Sequence, residues 1–213
     1  LEGVAEVSHA PEEAQQQHDA EILGKYGLAK GFLFYAGGLA EPYGVGILID
    51  AVKQLGSQTH LVLCGAGSME GEVRRAASEH PQIHYLGSIP PEDVKALSRH
   101  ASFLVNARIP GDIYLRYSFP SKLLEYMATG IPVVSSRLPG IPPEYYAHLL
   151  VLDDVTAEGL ADCLQRNAGA NYALAQLAAE GAAAFCRQHK TALQQGKMLV
   201  RTIFQDSAQH DRS

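Results

Sequence analysis

Basic charge is sparse in this chain: 17 lysines and arginines face 23 aspartates and glutamates in 213 residues, for a formal net charge of −6. No basic block offsets that balance, which argues against nucleic acid as the main partner. Long apolar runs are missing as well. None approaches the ~18 residues needed to cross a bilayer, and no signal-peptide pattern opens the chain. A cytoplasmic protein is expected, with peripheral association at the inner face of a membrane left open. Cysteine is scarce: Cys64, Cys163 and Cys186 are odd in number and far apart. That excludes a disulfide scaffold or a zinc site and suits a reducing compartment. Asp153-Asp154 has no third ligand in view, so no metal is expected; the two acids read instead as caps for a helix starting near Thr156. The chain also opens on Leu1 with no initiator methionine, as expected of a piece of a longer protein.

What is present is ordinary globular material, 46% hydrophobic and 19% charged, long enough for one buried α/β core with some extra helix. Short apolar runs recur at residues 31–36, 60–64, 83–86, 102–105, 131–134 and 148–152, and helix-period segments separate them. Glycine turns follow the first two, Gly37-Gly38 and Gly65-Ala-Gly67, and the helix after the second has Ser68 as its expected cap. Strands alternating with helices predict an α/β fold, a Rossmann-like, doubly wound parallel sheet of about six strands in the order 3-2-1-4-5-6. Residues 1–30 read as a lead-in segment in which Pro11-Glu-Glu13 opens a helix ending near Gly27. Residues 31–168 form the domain, and residues 169–213 add C-terminal helices, the last from Thr191 to about Phe204, and a tail.

The most informative stretch runs from Tyr117 to Ser135. Pro120 suits the first position of a helix and pushes Phe119 to extended geometry, Gly130 supplies a left-handed stop, and Ile131-Pro-Val-Val134 is a buried strand. The free N–H groups of Ser121, Lys122 and Leu123, with the positive end of the helix dipole and the Lys122 charge, make an anion site. Glu125, four residues after Ser121, lies on the same face about 6 Å further along. A carboxylate at that distance suits the two hydroxyls of a ribose attached to a diphosphate. The loop from Asn106 to Ser118 adds Arg108, whose planar fork matches phosphate oxygens. Arg116 reads as a surface residue, and Asp112 is open between a sugar contact and a turn cap. The doubly wound order sets the ligand crevice between the first and fourth strands, where the Gly37-Gly38 turn and the Arg108 loop arrive.

The run Phe-Pro-Ser-Lys-Leu-Leu-Glu-Tyr-Met-Ala-Thr-Gly-Ile-Pro-Val-Val resembles the donor-binding signature of GT-B glycosyltransferases related to family 4, in the Ser-Phe-Pro-Ser-Lys subgroup. Val105-Asn-Ala-Arg108 and Arg137-Leu-Pro-Gly-Ile-Pro-Pro-Glu-Tyr145 are similar to its flanks. The resemblance covers roughly residues 30–165 and implies one half of a GT-B fold, the half that holds a nucleotide diphosphate sugar. It implies diphosphate contacts from Gly38, Arg108, Ser121, Lys122 and Leu123, and ribose contact from Glu125. Base contacts would come from Gly65, Gly87, Ser88 and Ile89, and sugar contacts from Tyr117, Ser118, Phe119 and Pro120. Tyr117 stands where the family has a first glutamate. Gly38 or Leu39 and Tyr43 stand where it often has an arginine and a lysine.

The implied chemistry is retaining and metal-independent transfer of the sugar to a polysaccharide or glycolipid, with no cofactor besides the donor. The implied partner is an N-terminal acceptor half, where the catalytic groups would lie. Two alternatives remain: a non-catalytic nucleotide-sugar binding or partner-activating subunit, and a sugar-nucleotide epimerase of GT-B fold.

Overall fold

The computed structural model describes residues 12–111, 119–197 and 200. Its six strands are β1 (Leu33–Ala36), β2 (Leu61–Cys64), β3 (Ile83–Tyr85), β4 (Phe103–Asn106), β5 (Val133–Ser136) and β6 (Leu150–Leu152). All pair in parallel in the order β3-β2-β1-β4-β5-β6, as the alternation predicts. In register, Leu33 of β1 sits between Leu61 and Phe103.

Among the described residues the sheet is covered by α1 (Glu12–Tyr26), α2 (Val45–Leu55), α3 (Glu70–Glu79), α4 (Pro91–His100), α5 (Ser121–Ala128), α6 (Ala157–Arg166) and α7 (Tyr172–His189). Residues 192–197 are helical as well; the rest of the helix expected there lies largely outside the described residues. Successive strand residues point to opposite faces, so a strand buried on both sides must be apolar throughout. Accordingly Phe34 and Ala36 of β1 enter one core with α1, α4, α5 and α7. Leu33 and Tyr35 enter the other with α2, α3 and α6.

Three local expectations are corrected. Ser68 does not cap α3; the cap position is Met69, with no side-chain hydrogen bond, because the chain enters the helix through a turn in which Glu70 N donates to Gly67 O. The acids do not cap α6 directly. Thr156 does, its Oγ1 accepting from Gly159 N, while Asp154 accepts from the Thr156 hydroxyl and Asp153 pairs with Arg137. Pro120 occupies the cap position of α5 rather than its first turn, with an extended ψ of 96°.

The three cysteines are free and buried. Among the described residues no helix is long and apolar enough to cross a membrane, and no group of three or more His, Cys, Asp or Glu is placed to hold a metal ion.

Candidate ligand-binding site

β1 and β4 are neighbours, and the helices that follow them, α2 and α5, lie on opposite faces of the sheet. The loops therefore diverge beyond Ala36 and Asn106 and leave a crevice, the usual ligand position in an open parallel sheet. Its rim is knitted from backbone. Gly37 N donates to Cys64 O at 3.0 Å, Leu39 N to Ala66 O at 2.9 Å and Gly65 N to Gly87 O at 2.8 Å. A Cβ on Gly65 would stand 1.8 Å from the Gly37 carbonyl oxygen, and one on Gly67 2.3 Å from that of Leu39. Glycine is required there because loop packs on loop, whatever binds above.

α5 presents its opening to this rim. Leu123, Leu124, Tyr126 and Met127 are buried beneath it, Ser121 and Glu125 are exposed, and Lys122 is half-buried. The Lys122 Nζ lies 3.1 Å from Glu125 Oε2. One predicted donor is withdrawn: the Leu123 N–H closes on the Pro120 carbonyl at 2.8 Å. Ser121 and Lys122 are left as the amides at the helix mouth. Gly130 ends the helix region at φ 74°, as predicted.

Tyr126 fixes α5 against β1. Its hydroxyl accepts from Ala36 N at 2.8 Å and donates to Ala36 O at 3.4 Å, and burial pushes the phenol well up from its ordinary range. Burial also pushes the Cys64 thiol, at the end of β2, up to about 12, with the Lys122 charge opposing that rise. Lys122 thus bears on the carboxyl end of β2.

Arg108 is held on the other side of the crevice. Its carbonyl accepts from Ser136 Oγ at 2.6 Å, and the next residue, Ile109, donates from N to Pro42 O at 3.0 Å. Asn106 Nδ2, buried, donates to Ser135 Oγ at 3.0 Å. The guanidinium lies 4.8 Å above the Tyr43 ring. Tyr43 in turn covers Gly38, where a Cβ would stand 2.6 Å from the ring. The Tyr35 hydroxyl donates to Gly38 O at 2.7 Å; burial raises this phenol's pKa, and the Arg108 charge works against the rise.

Gly38, Arg108, Ser121, Lys122 and Glu125 thus all belong to the segments that follow β1 and β4 at their carboxyl ends, Arg108 reaching Gly38 through the Tyr43 ring and Lys122 pairing with Glu125, with Gly65 and Gly87 joined beside them. Ser88 is exposed, whereas Ile89 packs against the core. Phe119 turns its ring toward Tyr145, 5.2 Å away, and Pro120 is buried, so both side chains are engaged in packing. Tyr117, Ser118, Asp112 and Arg116 lie outside the described residues. Tyr126 and the stacking role of Tyr43 were missed. A tyrosine on the buried face of α5 was the one visible signal for the first, and nothing local signalled the second.

A doubly wound parallel sheet with a helix mouth and two cationic side chains at its switch point defines a Rossmann-like ligand-binding domain. The chain belongs to the glycosyl transferases group 1 family, whose model matches residues 30–168, and its architecture is one half of a GT-B fold. It is 32% identical over 111 residues to the amylovoran biosynthesis glycosyltransferase AmsK of Erwinia amylovora, over 49% of this chain and 27% of that protein. Its fold is similar to that of Anabaena Alr3699/HepE, solved in complex with UDP and glucose. The TM-score is 0.71 at 18% identity, covering 89% of this chain and 52% of that one. It is also similar to a C-terminal domain of a group 1 glycosyl transferase, LpcC, from Francisella tularensis. There the TM-score is 0.61 at 18% identity, covering 85% of this chain and 95% of that one. The chain therefore spans about half of the solved Anabaena protein and about a quarter of its Erwinia relative.

Proposed function

We propose that this chain is the donor-binding half of a retaining, metal-independent glycosyltransferase that moves a sugar from a nucleotide diphosphate sugar to a polysaccharide or glycolipid acceptor. The observation that carries the proposal is the juxtaposition at the switch point of the α5 mouth, its Ser121–Glu125 face and Arg108. A diphosphate meets the Ser121 and Lys122 amides, the Lys122 ammonium and the Arg108 guanidinium; the ribose hydroxyls meet Glu125. Donors aimed at charge that grows as the sugar departs stabilise the leaving diphosphate more than the bound donor, and that difference is what accelerates transfer. The acceptor and the groups around the reacting carbon belong to an N-terminal half. A cytoplasmic location, open to the inner face of a membrane, accompanies this assignment. The polysaccharide named for the Erwinia relative and the UDP bound by the Anabaena protein favour the acceptor class and the first nucleotide to try.

The test is thermal unfolding of the chain with UDP, GDP, ADP and dTDP, each with and without a chelator, repeated on Glu125→Ala and Lys122→Ala. Ligand at 100 times its dissociation constant adds about 2.7 kcal/mol of stability. One diphosphate is expected to raise the midpoint regardless of chelator, and both substitutions to shrink the rise. A rise abolished by chelator overturns metal independence. No rise with any nucleotide favours a partner-activating subunit, for which the observation is Tyr43 over Gly38, where the resembling family often carries a lysine.

A further inference from the structure

Resting on the donor-site assignment above, we propose that Tyr43 is a positioning residue, its ring holding the Arg108 guanidinium beside the Gly37-Gly38 turn so that the arginine meets the donor diphosphate. The turn carries no cation of its own. Arg108, on a different loop, brings one to the same place, with its guanidinium carbon 4.8 Å above the Tyr43 ring. A guanidinium stacked on an aromatic face still has its edge N–H groups free for phosphate oxygens.

Everything around this pair is fixed. Tyr43 closes a 3-10 turn, Glu41–Tyr43, with its N–H on Ala40 O at 3.0 Å. The following Gly44, at φ 73°, lies so near the Arg108 loop that a Cβ there would stand 2.0 Å from the Ala107 carbonyl oxygen. The Ile109–Pro42 hydrogen bond joins the two main chains, and the Ser136 hydroxyl ties the Arg108 carbonyl to β5. The one soft part is the arginine side chain, among the richest in rotamer entropy. The ring restricts it before ligand arrives. Tyr35 supplies a second phenol on the Gly38 side, hydrogen-bonded to the Gly38 carbonyl, and Arg108 is half-buried, consistent with its guanidinium lying over the Tyr43 ring.

The experiment is isothermal titration of the full chain with the nucleoside diphosphate selected above and with the matching nucleoside. The variants are Tyr43→Phe, Tyr43→Leu, Arg108→Ala and the double substitution. Tyr43→Phe keeps the aromatic face and is expected to bind like the wild type. Tyr43→Leu is expected to weaken the diphosphate roughly two- to fivefold, the span of a partly exposed cation–π contact, and to leave the nucleoside unchanged. In the Arg108→Ala background it should cost nothing further, since the ring acts through the arginine. Equal losses for nucleoside and diphosphate, additive losses in the double variant, or no loss at all overturn the role. Tyr43→Met, which fills the space over Gly38 without a ring, carries the same expectation if the leucine variant unfolds. Lys122→Ala separates the two levels. If it weakens diphosphate while Tyr43→Leu does not, the donor site stands and this role falls. If the wild type binds no diphosphate, both fall.

Discussion

Tyr126 joins the signature helix to the first strand through one hydroxyl that serves both backbone groups of Ala36. Tyr126→Phe keeps the ring and strands a buried N–H, a loss of about 1–3 kcal/mol. Urea unfolding should show it as a lower midpoint at an unchanged slope, whereas an unchanged midpoint would mean that the amide finds another acceptor. At this scale the sequence was legible where a residue type has one physical reason to be present. Gly130 ends its helix as read. It was less legible where two reasons compete: Gly65 and Gly67 look like ligand-approach glycines, yet each is required by a neighbouring carbonyl. Position alone makes the Leu123 amide a helix-mouth donor, but a carbonyl at the cap position, that of Pro120, claims it. The Lys122–Glu125 pair, both partners partly exposed, is worth at most about 1 kcal/mol, so a nucleotide that engages both ends replaces it at little cost.

Among the elements, α1 departs most from its first impression. Its glutamines and acids suggest a solvated lead-in, but Ile22 and Leu23 are buried and Asp19 is 3% exposed. It docks on α4 through two acid clusters. Asp19 accepts from Arg99 Nε at 2.8 Å and lies 3.3 Å from His100 Nε2; Asp93 accepts from Lys25 Nζ and the Tyr26 hydroxyl at 2.6 Å each. End signals, Pro11-Glu-Glu13 and Gly27, could find the helix, but not a docking face whose centre is charged and whose partners lie 67 to 80 residues away.

These contacts make the α1–α4 seam acid-sensitive. Burial pushes the His100 imidazole below its ordinary range despite the pull of Asp19. The unfolded chain therefore takes up that proton more readily, and the contribution is full above about pH 6.5 and shrinks as pH falls. Burial alone would raise the Asp93 carboxyl, but the Lys25 and Tyr26 hydrogen bonds hold it below the usual range. Its contribution is present above about pH 4 and lost as pH falls through the folded value. Thermal midpoints should decline in two stages on acidification. His100→Gln should shrink the first, to which the depressed His84 imidazole also contributes, and spare the second; a single-stage profile in the wild type would refute this.

For the whole molecule, strand number and order were legible because parallel strands covered on both faces must be apolar and evenly spaced, and because crossovers are right-handed. What binds, and what is transferred, was not legible from the sheet; it rests on side chains gathered at one switch point. Since the chain spans about half of the solved Anabaena protein, it is expected to bind donor yet release nucleoside diphosphate only slowly when mixed with donor and acceptor. A coupled assay of nucleoside diphosphate release measures this. Sustained, acceptor-dependent turnover would move the reacting groups into this half.

One further consequence concerns where this protein can be cut. The family model's match ends at residue 168, but the back wall of α5 comes later in the chain. Ala182 and Cys186 of α7 sit in the same core as Leu123 and Leu124, and Gln176 Nε2 donates to the Gly130 carbonyl at 2.9 Å. A fragment trimmed to the end of that match would keep every signature residue and lose the surface that the signature helix leans on. The smallest unit that can be inherited, fused or exchanged between relatives is therefore longer than the stretch the family model matches, and the fold likeness, which covers 89% of the chain, is the better guide to it.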